Sequence, residues 1–160
     1  MSRILYYLIL LPLSRLPLGV LHKLADFLYW VLYRGFGYRT KVVLKNLRNS
    51  FPDKNEQEIR AIADEFYRFF FDLVVETIRL FSMSKEELLE RCQVNDIEVF
   101  DRYAREGKQV IIAGGHYCNW ELAAMAICIQ IPHTGVAIYH PLKNKFLNEK
   151  LQQSRSRFGM

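Results

Sequence analysis

The segment Gly114-Gly115-His116-Tyr117-Cys118-Asn119-Trp120-Glu121 gathers the residues of this chain best suited to chemistry. A neutral imidazole takes a proton from an alcohol near pH 7. A carboxylate on the other ring nitrogen fixes the tautomer and stabilises the imidazolium that forms. With His116 as base and Glu121 as its partner, the pair follows the logic of a Ser-His-Asp triad in which the acceptor substrate's own hydroxyl replaces the serine. No enzyme nucleophile is then required. A thioester attacked in this way develops an oxyanion and needs hydrogen-bond donors nearby. The backbone amides of this turn and the basic residues further along the chain are the candidates.

Blander readings compete. A histidine five positions before a glutamate is a common coincidence. His116, Cys118 and Glu121 could be metal ligands, but no second cluster supplies further ones, so no metal is expected. Cys118 could act as a nucleophile with His116 as base, although a small side chain filling space is its simplest role. No cofactor is implied.

The elements around the motif place it. Gln109-Val-Ile-Ile-Ala113 is a short β-branched run closed by two glycines, which predicts a buried strand. Asn119 is an N-cap candidate, Leu122 to Ile129 predicts a helix, and Thr134-Gly-Val-Ala-Ile-Tyr139 predicts a second strand. Strand, helix and strand at this spacing predict a βαβ unit with a right-handed crossover. Ligands of open α/β sheets bind at the carboxyl ends of strands, where His116 would sit. Glu121 falls in the first helical turn, where a carboxylate suits the helix dipole.

Upstream, Asn55 and Glu58 have capping-box spacing. Ile59, Ile62, Ala63, Phe66, Phe69, Phe70, Leu73, Val74 and Thr77 follow at three- and four-residue steps, predicting one amphipathic helix to about Phe81 with the aromatic stripe in the core. Ser84 with Glu87 repeats the capping signal for a short helix to about Arg91. Asp96 to Glu106 and Lys145 to Phe158 also read as helices.

The chain has 160 residues, of which 51% are hydrophobic and 14% aromatic, which excludes a disordered segment. A net charge of +5 and a pI of about 9.2 suit an anionic partner without saying which. The 3 cysteines lack a CxxC pair, so a disulfide framework is not indicated and a reducing compartment is the simpler reading. Ile4 to Leu13 is an apolar run too short to span a bilayer, and Ser14-Arg15-Leu16-Pro17 is no cleavage site. Residues 1–33 read as a retained membrane anchor, interfacial or a poor single span, with a hairpin of core helices as the alternative. Tyr6, Tyr7, Tyr29, Trp30, Tyr33, Phe36 and Tyr38 favour an interface. Arg39, Lys41, Lys45 and Arg48 would suit an anionic leaflet or an ordinary solvated helix face equally.

The motif resembles the H-x4-D/E signature of glycerolipid and lysophospholipid acyltransferases. More closely, Ile112-Ala-Gly-Gly-His-Tyr-Cys-Asn-Trp-Glu121 resembles the G-H-x-G-N-W-E block of the lipid A biosynthesis acyltransferases. The apolar N-terminus, Asn46-Leu-Arg48, Phe51-Pro52, Tyr139-His-Pro-Leu-Lys-Asn144 and Arg155-Ser-Arg-Phe-Gly159 are similar to further blocks of that family, so the likeness covers essentially the whole chain. It implies transfer of a fatty acyl chain, from acyl carrier protein or acyl-CoA, to a hydroxyl of a lipid A precursor or a related glycolipid or lysolipid at the cytoplasmic face of the inner membrane. It implies His116 as base, Glu121 as its partner, and Asn119 as a shaping residue. Cys118 stands where the family often has glycine. His140 stands where it usually has an arginine, and Lys143, Arg155 or Arg157 are candidates to take over that substrate contact.

The expectation is therefore an α/β fold, with N-terminal hydrophobic and amphipathic helices followed by a partial, mainly parallel sheet. A membrane-anchoring segment at 1–38 would precede the N-terminal part of an acyltransferase domain at 39–160, the chain reading as a fragment of a longer one. A non-catalytic membrane-surface module is the rival. A nucleic-acid partner is not expected, because the basic 39–48 stretch lacks a stacking groove.

Overall fold

The computed structural model describes residues 1–159 and resolves the chain into two compact units, Leu16–Glu76 and Met1–Arg15 with the chain from Thr77 onward.

The first unit contains α3 (Leu18–Leu28), a π-wound continuation Tyr29–Gly35, α4 (Thr40–Ser50) and all but the end of α5 (Glu56–Arg79). Its core is built from residues four apart. Leu21, Ala25 and Tyr29 are buried along one helix, and Ile59, Ala63, Tyr67, Phe71 and Val75 along α5. Residues at i and i+4 lie over one another on a helix, so each set forms a single seam. Phe66 and Phe69, expected inside, are exposed, and Tyr67 and Phe71 take the core instead. Aromatics fill so much of this helix that its pattern fits two adjacent stripes. Tyr67 fits the buried one because its hydroxyl has a partner there, donating to the Tyr38 carbonyl at 2.5 Å. Tyr29, also buried, donates to Asp64 at 2.5 Å, and Asp64 also pairs with Arg34 at 2.8 Å.

The start of α5 follows its sequence signal. The Asn55 side chain accepts from the amides of Gln57 and Glu58, and Glu58 accepts from the Asn55 amide at 2.9 Å, a reciprocal capping box.

The second unit begins with a helical N-terminus: α1 (Ser2–Leu5), a π-wound stretch Tyr6–Leu10 and α2 (Leu11–Ser14). It continues with α6 (Lys85–Arg91), α7 (Ile97–Arg105), α8 (Trp120–Gln130) and α9 (Lys145–Ser156). Ser84 caps α6 by accepting from the Glu87 amide, and Gly107, at φ +66°, follows α7. Tyr6 is buried edge-on against Phe81 and Phe146. The end of α2 is tied down by its Ser14 carbonyl, which accepts from Arg79 at 2.6 Å and from the Ser82 hydroxyl at 2.5 Å. Of the aromatics that suggested an interface, Tyr6 and Tyr29 are therefore core, while Tyr7, Trp30, Phe36 and Tyr38 are exposed. Among the described residues no helix is long and apolar enough to cross a membrane.

The expected sheet is absent. No strand forms among the described residues, so the α/β fold with βαβ units is corrected to an all-helical arrangement with irregular connections. Residues 109–113 and 134–139 have no regular secondary structure, and no backbone ladder joins them. Ile111, Val136 and Ile138 are 95%, 89% and 102% exposed. A strand exists only through its partner, and an apolar strand of a parallel sheet also needs cover on both faces. Local β-branched composition does not by itself make a strand. The intervening helix α8 formed where expected, because its Asn119 cap and its run of apolar residues are local properties.

Candidate functional site

The turn that carries His116 is built by its own backbone. The Tyr117 amide donates to the Gly115 carbonyl at 2.9 Å, and Cys118 adopts φ +50°. That left-handed region costs a residue with a Cβ about 1–2 kcal/mol and costs glycine almost nothing. The preference for glycine at this place in the resembling motif thus has a backbone cause. Asn119 then caps α8, its side-chain oxygen accepting from the Leu122 amide at 3.1 Å. This fixes Trp120 and Glu121 as the first helical residues.

Gly114 and Gly115 are not demanded by the fold. Neither has a positive φ, and a Cβ at either would meet nothing within 4 Å. The His116 side chain is exposed beside them, its ring 4.7 Å from that of Trp120 and inclined at 63°.

Glu121 faces elsewhere. Arg155 Nε donates to one carboxylate oxygen at 2.9 Å and Nη2 to the other, a bidentate pair whose side chains are 12% and 11% exposed. The guanidinium also lies against two rings, 5.1 Å from the centroid of Tyr139 and 5.9 Å from that of Trp120. Trp120 thus meets both the His116 ring and the Arg155 guanidinium. Among the described residues no hydrogen bond joins His116 to Glu121.

The remaining candidates separate. His140 and Lys143 are exposed on the connection before α9. Arg157 donates to the carbonyls of Leu80 and Met83, at 2.5 and 3.2 Å, and so closes the chain end of α5. Of the three cations considered as substitutes for an arginine at 140, Arg155 and Arg157 already have protein partners. Among the described residues no group of three His, Cys, Asp or Glu gathers as metal ligands.

The family model described as bacterial lipid A biosynthesis acyltransferase matches residues 2–160. The chain belongs to this family. It is 25% identical over 147 residues to the lipid A biosynthesis lauroyltransferase of Escherichia coli (strain K12), a match covering 85% of this chain and 47% of that protein. The chain thus spans about half the length of the curated relative it matches. No solved structure matches.

Within this member of the family, two features of the site were not read from the sequence: the Glu121–Arg155 pair and the place of Tyr139 against the guanidinium. The sequence offers Arg155 as a candidate substrate contact, not as the partner of Glu121. Its burial on α9 is a tertiary fact, and the one local hint is an arginine on the same helical row as Leu147 and Leu151, which a charged residue occupies only when it has a partner inside.

Proposed function

We propose that the protein to which this chain belongs is an O-acyltransferase that moves a fatty acyl group from a thioester donor to a hydroxyl of a lipid A precursor or related membrane lipid. The observation that carries this is the placement of His116: an exposed imidazole on a turn entered through two glycines that the fold itself does not require. Glycine at such places lets a substrate approach the backbone closely.

In this reading His116 takes the proton of the acceptor hydroxyl as that oxygen attacks the thioester carbonyl. The tetrahedral intermediate then collapses and expels the thiolate, which takes the proton from the imidazolium and leaves as the thiol. Amides near Gly114 and Gly115 are the candidate oxyanion donors. Glu121 orients the imidazole. Its bond to Arg155 does not preclude that role, since each carboxylate oxygen has two lone pairs and Arg155 uses one on each.

Acyl carrier protein is the favoured donor, an acidic partner for a chain of net charge +5, with acyl-CoA the alternative. The cytoplasmic face of the inner membrane is the proposed place of action. Within the first unit, exposed Phe27, Trp30 and Phe36, with Arg39 and Lys41 exposed as well, support seating in a headgroup layer. Mass spectrometry of lipid A from a strain lacking the full-length gene tests the reading. Complementation with the wild-type gene restores a lipid A species heavier by one acyl chain, and the His116→Ala gene does not. Equal restoration by both would remove His116 from the mechanism.

A further inference from the structure

We infer that the first unit carries a binding site for a phosphoethanolamine lipid headgroup, in a cavity between the π-wound Tyr29–Gly35 segment, the start of α4 and α5. The inference deepens the reading of this unit as seated in a headgroup layer, and rests on it for the lipid source of the headgroup. The cavity measures about 440 Å³, and Tyr33, Arg34, Thr40, Arg60, Asp64 and Glu65 line it. Small-molecule sites have volumes of about 300–1,000 Å³.

Its charged groups divide into paired and unpaired ones. Arg34 pairs with Asp64 at 2.8 Å and donates to the Tyr29 hydroxyl at 3.0 Å, while Asp64 also accepts from Arg68 at 3.3 Å. Arg60 and Glu65 are exposed, and among the described residues neither belongs to an ion pair. The carboxylate that feels Arg60, Glu56, is already gripped by Arg48 at 2.6 and 2.9 Å. The Thr40 hydroxyl oxygen is buried without a hydrogen-bond partner. Its neighbour, the Tyr67 phenol, meets it outside hydrogen-bond geometry and gives its own hydrogen to the Tyr38 carbonyl. Thr40 also begins α4, whose N-terminus no side chain caps.

What remains is one cation, one carboxylate and one hydroxyl at the positive end of a helix. A bare phosphate would gain Arg60 and Thr40 but meet Glu65 as a like charge. A phosphate and an ammonium joined by a short chain suit all three, the phosphate accepting from Arg60 and Thr40 and the ammonium donating to Glu65. Arg60 and Glu65 are five residues apart on α5, about 7.5 Å of rise, within reach of one such headgroup. The Arg34 guanidinium that lines the cavity also lies 5.9 Å from the Trp30 ring centroid. Trp30 and Phe36 are 60% and 80% exposed, so the cavity lies beside the aromatics that seat this unit.

The experiment measures flotation of the full-length protein with vesicles of phosphatidylcholine and phosphatidylglycerol, the anionic fraction held constant. Phosphatidylethanolamine replaces part of the phosphatidylcholine in a second set. Choline keeps the phosphate but has methyl groups where ethanolamine has N–H donors. The wild type is expected to bind the second set about 10-fold more tightly, the effect of one charge-assisted hydrogen bond. Glu65→Gln is expected to abolish that preference. Charge alone predicts the opposite sign for this variant, since removing a carboxylate strengthens attraction to an anionic surface. Thr40→Val, with nearly the same shape and no hydroxyl, is expected to bind the second set several-fold more weakly than the wild type. Glycerophosphoethanolamine in solution is expected to compete for the site, and inorganic phosphate is not.

Equal binding of the two vesicle sets by the wild type, or an unchanged preference in Glu65→Gln, would overturn the inference. Competition by inorganic phosphate as strong as that by glycerophosphoethanolamine would reduce the cavity to a plain anion site and overturn it equally. A wild type that floats with neither set is a different failure, that of the headgroup-layer reading. Direct titration with glycerophosphoethanolamine then decides the cavity alone: binding that Glu65→Gln weakens about 10-fold supports it, and no binding overturns it.

Discussion

Arg155 grips both carboxylate oxygens of Glu121 across 34 residues of sequence, joining the last turn of α9 to the first turn of α8. Truncating one partner of so buried a pair leaves a charge without compensation. Arg155→Met is therefore expected to destabilise the second unit by about 3 kcal/mol, and replacing both partners by apolar residues to restore most of it. Urea unfolding of the single and double variants measures this. Equal midpoints for wild type and Arg155→Met would show that the pair contributes nothing to stability.

Cys118 holds a left-handed conformation at φ +50°. Glycine relieves that strain but raises the entropy of the unfolded chain, so Cys118→Gly is expected to stabilise by a net of about 0.5–1 kcal/mol. Cys118→Val, β-branched, is expected to destabilise by more than that. The midpoint of denaturant unfolding, at constant slope, is the readout. A loss of stability on introducing glycine would mean that the thiol makes compensating contacts.

The helices and their caps were legible because their causes are local. Asn55 with Glu58, Ser84 with Glu87, and Asn119 before Leu122 each bond as their spacing requires. The strands were not legible in the same sense. Ile111 and Ile138 have the composition of buried strands and yet stand exposed, since composition cannot supply a ladder partner. In the site, the turn and its capped helix were visible in the sequence. The partner of Glu121 was not, because an arginine 34 residues away carries no periodic signal.

Asp64 gives the first unit a pH dependence of defined sign. The hydrogen bond from Tyr29 holds its carboxyl below the usual range, with Arg68 and Arg34 adding to the effect against the opposing influence of burial. A carboxyl depressed in the folded state contributes stability that is present above its unfolded value, about 4, and is lost as pH falls through the folded value. Tyr29→Phe removes the leading cause. It is expected to destabilise by about 1–2 kcal/mol at pH 7 and to flatten the acid limb below pH 4, where the wild type loses what the variant never had. Thermal unfolding between pH 2 and 7 reads both effects. Parallel acid limbs for the two proteins would exclude this coupling.

The central claim is that His116 removes the acceptor's proton. Single-turnover acyl transfer by the full-length protein tests it most directly, with a lauroyl-acyl carrier protein donor and a lipid A precursor in anionic vesicles. His116→Ala is expected to slow the chemical step by at least about 10²-fold with unchanged circular dichroism and vesicle binding. A His116→Ala rate equal to that of the wild type would contradict the account.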